Sequence, residues 1–190
     1  MIDRIASKLL PTSDALELFA QGREAAVLMA FRPQADGSVS LVFTKRHDDL
    51  PSHAGQISFP GGSSDPGDAD HVFTALREAH EELAIPPSSV GVIGALEPMS
   101  TFVSDFAVYP IAGVVAADLP LTPNPSEVDT VFEVDFAELI AIREKRELRR
   151  AGIGGRVLLL SEPVVEAFPV VVHHHLTPVV TSSAGIEAAA

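Results

Sequence analysis

Arg77-Glu78-Ala79-His80-Glu81-Glu82 follows the turn Phe59-Pro60-Gly61-Gly62, with fifteen positions from Gly62 to Arg77. Wound as a helix from Arg77, Glu81 falls at about 40°, Glu78 at about 100° and Glu82 at about 140°. Val72, Leu76, Ala79 and Leu83 gather on the other side, between about 200° and 260°. The spacing predicts a helix over residues 71–84 with one buried face and one anionic face. Like charges at i,i+4 destabilise a helix by a few tenths of a kcal/mol. A hard divalent cation among the oxygens turns that arrangement favourable. A solvated acidic face is the usual meaning of a charge run, but such a face mixes signs, and here only Arg77 is basic. The glycines ahead of it can bring backbone close to a ligand. The stretch therefore reads as a metal site.

These residues resemble the Nudix hydrolase signature. The matching positions are Gly62, Arg77, Glu78, Ala79, Glu81, Glu82, Ala84 and Ile85. Ala84 stands where the signature has a glycine. The spacer from glycine to arginine is one residue longer than in the general motif. The register of the mid-spacer glutamate falls on Ala69, with Asp68 and Asp70 beside it. The longer spacer and the wording Thr74-Ala75-Leu76-Arg77-Glu78-Ala79 resemble the coenzyme A pyrophosphatase branch. So does the segment before the glycines, where Thr44, Arg46, His53, Gly55, Gln56 and Phe59 to Gly62 match. His47 replaces that branch's small residue. Pro51 replaces its second arginine and removes one phosphate contact. The two motifs together span residues 41–85, and in tandem they are strong.

The resemblance implies an α/β fold, with a mixed sheet sandwiched between helices as α/β/α layers. It implies attack of water on a diphosphate, with divalent cations stabilising the growing negative charge. Glu78 and Glu82 are the first metal-ligand candidates, because i,i+4 places them together. Glu81 is the third, as ligand or as the partner that orients Arg77. Arg77 joins the catalytic set as the residue that holds the acidic cluster. Gly61 aims its carbonyl at the metal. Mg²⁺ suits an oxygen-only site better than Zn²⁺, with Mn²⁺ as the alternative. Arg46 offers a planar fork to phosphate oxygens, and His53 and Gln56 offer neutral donors. Glu127, where a proline-rich loop meets a strand, falls on the branch's Glu-Val-x-x-Val-Phe pattern and is the candidate general base. Such a loop can swing a carboxylate over a site. The substrate implied is coenzyme A or a derivative, cut to 3′,5′-ADP and 4′-phosphopantetheine. Other nucleoside diphosphates, such as ADP-ribose or nucleotide sugars, are the second reading. A silent binding module is the third, and the intact Glu78, Glu81 and Glu82 argue against it.

Composition narrows the rest. The chain has 190 residues, enough for one domain with a proper core. It is 46% apolar, with a mean hydropathy of +0.25, which excludes a disordered chain. No apolar run approaches the ~18 residues of a membrane span. A net charge of −13 repels nucleic-acid backbone unless a local basic patch intervenes. The basic cluster at Arg143, Lys145, Arg146, Arg149 and Arg150, interleaved with Glu144 and Glu147, reads as a solvated helix end. Contact with substrate phosphates is its lesser reading. The absence of cysteine removes disulfides and thiolate metal sites. Met1-Ile2-Asp3-Arg4 does not read as a signal peptide, so a cytoplasmic address is expected. Monomer and homodimer stay open.

Along the chain, residues 15–19 read as a helix capped by Ser13 or Asp14. Residues 25–31 and 39–44 read as two strands of a hairpin, joined by Ala35-Asp36-Gly37-Ser38. Residues 45–58 read as a long functional loop, and Gly61-Gly62 as a tight turn. Asp68 or Asp70 caps the signature helix, and Pro86-Pro87 ends it. Strands are expected at 90–96, 108–115 and 127–134, a loop at 119–126 and a helix at 136–142. Further strand candidates lie at 157–160 and 168–172. His173, His174 and His175 read as surface residues, since alternate strand positions face opposite sides. Residues 176–190 read as a disordered tail.

Overall fold

The computed structural model describes residues 1–47, 55–100 and 105–140. β1 (Arg23–Pro33) and β2 (Val39–Arg46) form the expected hairpin, pairing antiparallel from Phe31–Leu41 to Pro33–Val39. Asp36 shapes the turn, its Oδ1 accepting the Ser38 N–H at 2.9 Å. β7 (Phe106–Val114) runs parallel to β1 along its length, from Arg23–Phe106 to Phe31–Val114. A strand flanked on both edges and covered on both faces reads as a continuous apolar run, which is why Ala25 to Phe31 shows no alternation.

β3 (Ile57–Ser58) lies outside β2, and β5 (Gly91–Ala95) outside β7, giving the order β3-β2-β1-β7-β5. β4 (Gly61–Ser63) pairs with β1, β6 (Met99–Ser100) with β7, and β8 (Val128–Asp135) with β2, all antiparallel. The sheet is therefore mixed. Its two faces separate by the two-residue period of a strand. Ala26, Leu28, Ala30 and Val42 pack with Ala15 of α2 (Thr12–Glu17) and with Ala75, Ala79 and Leu83 of α3 (His71–Leu83). Met29, Phe31, Leu41 and Phe43 pack on the other face with Ile5 of α1 (Ile2–Ala6) and with Phe136 of the helical residues 136–140. Phe59 stacks on Phe43 with centroids 4.8 Å apart, which ties the glycine segment to this second core. The result is an α/β/α sandwich. No helix among the described residues is long and apolar enough to cross a membrane.

The structure corrects several local expectations. α2 begins at Thr12, not Ala15, and neither Ser13 nor Asp14 caps it; Asp14 and Ala15 N–H donate to the Pro11 carbonyl at 3.1 Å. Gly61–Ser63 is a strand on the edge of β1 and not a tight turn. Lys45 and Arg46 belong to β2, and Ile57 and Ser58 to β3, so the long loop is shorter than expected. α1 and β6 carry no period long enough to read. The helix expected at 136–142 is present over 136–140. His53, Pro51, the basic cluster at 143–150, the strand candidates at 157–160 and 168–172, His173 to His175 and the tail lie outside the described residues.

Candidate active site

α3 carries the acidic residues over the edge of β1 and β4. Asp70 caps it, its Oδ1 accepting the Phe73 N–H at 2.7 Å. The three carboxylates do not share one solvent face. Glu82 is only 2% exposed, Glu78 is half-buried and the Glu81 side chain is 51% exposed. Their depth follows their angular distance from the apolar stripe.

Arg77 organises the outer half of the cluster. Its Nε donates to Asp68 Oδ1 at 3.0 Å and its Nη2 to Asp68 Oδ2 at 2.9 Å, a two-pronged pair. Nη1 reaches Glu78 Oε1 at 2.9 Å and Glu81 Oε2 at 3.2 Å, and Nη2 also donates to the Ser63 carbonyl at 3.0 Å. The guanidinium thus faces protein acids, as the reading of a cluster-holding arginine expects. Asp68 also accepts the Thr74 hydroxyl at 2.8 Å. The Arg77 hydrogen bonds hold the Asp68 carboxyl far below the usual range, and Asp68 in turn holds Arg77 charged. Asp68, one position from the register of the missing mid-spacer glutamate, is the acid that meets Arg77. The sequence placed it beside the register of that glutamate and offered it as a helix cap, without pairing it with Arg77; an acid nine residues before the arginine was the available signal.

Glu78 and Glu82 form the inner half. Glu82 Oε2 accepts the Gly61 N–H at 3.3 Å, and Arg46 Nη1 lies 3.5 Å from Glu82 Oε1. The Leu28 N–H bonds the Pro60 carbonyl at 2.8 Å and the Ser64 N–H bonds the Glu24 carbonyl at 3.0 Å. The alternation of an antiparallel ladder therefore turns both polar groups of Gly61 away from β1, on the edge where Glu82 stands. Burial pushes the Glu82 carboxyl up to about 8, against Arg46 and the Gly61 amide, with Glu78 and Glu127 adding to the rise. Burial also raises Glu78, opposed by Arg77 and reinforced by Glu81 and Glu127.

Glu127 is brought within electrostatic reach of both inner carboxylates. The loop that carries it is hydrogen-bonded to the last turn of α3. Asn124 N–H donates to the Glu82 carbonyl at 2.8 Å and Thr122 N–H to the Leu83 carbonyl at 2.9 Å, satisfying last-turn groups of α3. Its start is held by buried Arg32, whose Nη2 donates to the Leu119 carbonyl at 2.7 Å while Nη1 meets Glu133 at 2.7 Å. His47 N–H bonds the Glu127 carbonyl at 3.2 Å, and Arg46 N–H bonds the Gln56 carbonyl at 2.9 Å. Arg46 therefore stands beside Glu82 with its backbone bonded to that of Gln56, and Glu127 is the next acid in reach.

Among the described residues no three His, Cys, Asp or Glu side chains converge as a complete metal cage. Glu81, the most exposed of the three acids, accepts from Arg77 Nη1 at 3.2 Å, in keeping with its reading as the partner that orients Arg77. Glu78 and Glu82, with the outward-turned carbonyl of Gly61, form an oxygen-only set. It fits a hard cation such as Mg²⁺, which takes one or two carboxylates and completes its shell with water and substrate phosphate.

A NUDIX domain family model matches residues 21–153. The uncharacterized Nudix hydrolase NudL of Yersinia pestis (strain Pestoides F) is 43% identical over 144 residues, covering 74% of this chain and 70% of that protein. NudL of Yersinia pseudotuberculosis serotype O:1b (strain IP 31758) matches equally. Among solved structures, the Nudix hydrolase RenU of M. smegmatis superposes with a TM-score of 0.53 at 15% identity, over 78% of this chain and 98% of that one. The C. elegans Ap4A hydrolase binary complex superposes with a TM-score of 0.51 at 20% identity, over 66% of this chain and 89% of that one.

Proposed function

The chain belongs to the Nudix family and is a hydrolase of pyrophosphate bonds, and from that premise we propose that it cleaves the diphosphate of coenzyme A or its derivatives with Mg²⁺. The products are 3′,5′-ADP and 4′-phosphopantetheine. The observation that supports the reading is the tandem of motifs between Leu41 and Ile85, because Arg46 of the first faces Glu82 of the second.

In this reading the bound cation supplies electrostatic stabilisation of the phosphoryl oxygens. Glu78 and Glu82 hold it, with the Gly61 carbonyl beside them. Arg77 fixes Glu78 through its Nη1 and is itself fixed by Asp68, so the outer acids set the geometry of the inner ones. Glu81 orients Arg77. Glu127 takes the proton of the attacking water, and its hydrogen-bonded loop keeps that carboxylate in place at little entropic cost. His53 and Gln56 supply neutral donors to the substrate. Water adds across one phosphoanhydride bond, and each half leaves as a phosphate monoester.

Pro51, standing where the branch has its second arginine, favours a second reading: hydrolysis of another nucleoside diphosphate such as ADP-ribose or a nucleotide sugar. Purified protein with Mg²⁺ is offered coenzyme A and ADP-ribose in parallel, and release of phosphopantetheine is expected. Hydrolysis of ADP-ribose with coenzyme A untouched would transfer the assignment to the second reading.

A further inference from the structure

Arg46 stands in an unusual position for a residue that is to meet a substrate phosphate. Its guanidinium faces the buried carboxylate of Glu82, with Nη1 3.5 Å from Oε1. That separation is longer than a hydrogen bond of good geometry. The other oxygen of Glu82 is held by the Gly61 amide at 3.3 Å, also a long contact. Neither oxygen is saturated. Arg46 Nε is buried and has no hydrogen-bond partner among the described residues. The head group is thus drawn to Glu82 by charge more than by fit. Glu78 and Glu127 add negative charge around the same point, and Arg46 is the cation that opposes them at Glu82. The Arg46 side chain is also 26% exposed, so it is not locked in by surrounding packing.

A guanidinium stays charged at every working pH, so it cannot surrender its place by losing a proton. A divalent cation entering the coordination range of Glu82 would stand beside that fixed positive charge. The two compete for the same carboxylate. We propose that Arg46 is an exchangeable counter-ion: it faces the ionised Glu82 carboxylate before metal arrives, and is displaced by the cation so that its fork becomes available to a substrate phosphate. This rests on the metal reading of Glu78 and Glu82 given above. It makes the order of binding a property of one side chain. Metal comes first, and only then does phosphate gain Arg46. By linkage, metal and phosphate then strengthen each other's binding.

The sign of one substitution tests it. Free Mn²⁺ is followed by EPR during titration of full-length wild type, Glu82→Gln and Arg46→Gln, without substrate and at a pH above 8, where Glu82 is ionised. Wild type should bind Mn²⁺ and Glu82→Gln should bind it far more weakly; if wild type binds none, the metal reading itself fails, whatever Arg46 does. Given wild-type binding, Arg46→Gln should bind Mn²⁺ about three- to tenfold more tightly, having lost its competitor. Weaker or unchanged binding would overturn the proposal, because Arg46 would then be holding Glu82 in ligating position or acting elsewhere.

Inorganic phosphate binding, measured by calorimetry with and without Mg²⁺, tests the second half. Arg46→Gln should lose affinity only in the presence of Mg²⁺. An equal loss in both conditions would show that the fork is available all along. Should Arg46→Gln fail to fold, the wild type still decides: the Arg46 Nε–H NMR resonance, assigned by its absence in Arg46→Lys, should move on addition of Mg²⁺. A resonance that does not move would count against displacement.

Discussion

Glu78 occupies the space in which a side chain on Gly62 would have to stand. A Cβ built there lies 2.5 Å from Glu78 Cδ and 2.6 Å from both carboxylate oxygens. The glycine lets β4 and α3 approach until a carboxylate presses on the strand. Since the clashing group is the end of a flexible side chain, Gly62→Ala should fold, with a melting temperature within a few degrees of wild type. Glu78 would swing aside, and displacement of a catalytic group by about 1 Å costs on the order of 10²-fold in turnover. Paired melting and kinetic measurements check this; turnover within twofold of wild type would refute it.

Buried Glu82 gives the metal-free protein an inverted pH response. Its carboxyl titrates near 8 in the folded chain and in the ordinary range when unfolded, and Glu78 is raised as well. Between those limits the folded state holds protons that the unfolded state has released. Stability should therefore be greatest near pH 5 and fall toward pH 8, by at most about 1.4 kcal/mol per pH unit for each proton involved. Saturating Mg²⁺ should flatten the curve, and Glu82→Gln should flatten it without metal while lowering turnover by at least ~10²-fold. Thermal melts across that range, with and without Mg²⁺, decide the matter; metal-free stability that climbs with pH would contradict the burial of Glu82 as a cause.

The Asp68–Arg77 pair predicts a structural loss. Asp68→Asn removes the charged acceptor of two Arg77 hydrogen bonds and leaves the guanidinium with weaker partners. Hydrogen bonds to charged groups contribute about 1.5–3 kcal/mol, so destabilisation of about 2–3 kcal/mol is expected by urea denaturation. Because the Asp68 carboxyl is depressed in the folded state, this contribution is present above the ordinary carboxylate range and is lost only as pH falls well below it. A change under 0.5 kcal/mol would place the pair among ordinary surface contacts.

Ala84 closes α3 in a left-handed conformation, at φ 56° and ψ 31°. Its N–H still bonds the His80 carbonyl at 2.9 Å, so the geometry is that of a glycine cap with a methyl group added. Ala84→Gly should stabilise the protein by about 0.5–1 kcal/mol, since alanine is strained there and the site is exposed. Destabilisation on denaturant unfolding would show that unfolded-state entropy outweighs the relieved strain.

The amino-acid order by itself determined the helix and the angular order of the acids around it, and left its cap to Asp68 or Asp70. Glu82 lies nearest the apolar stripe, Glu78 next and Glu81 farthest, and their burial follows that order. It also determined the hairpin of β1 and β2. A period measures direction around an axis and carries no depth, so it could not say that Glu82 would be covered. That was decided by the chain segments laid over it: β4 with the Gly61 amide, Arg46 from β2, and the proline loop anchored on the last-turn carbonyls of α3. The same packing made Asp68, not a residue in the motif's own register, the partner of Arg77. These contacts join residues far apart in sequence, and only the folded sheet brings them within bonding distance.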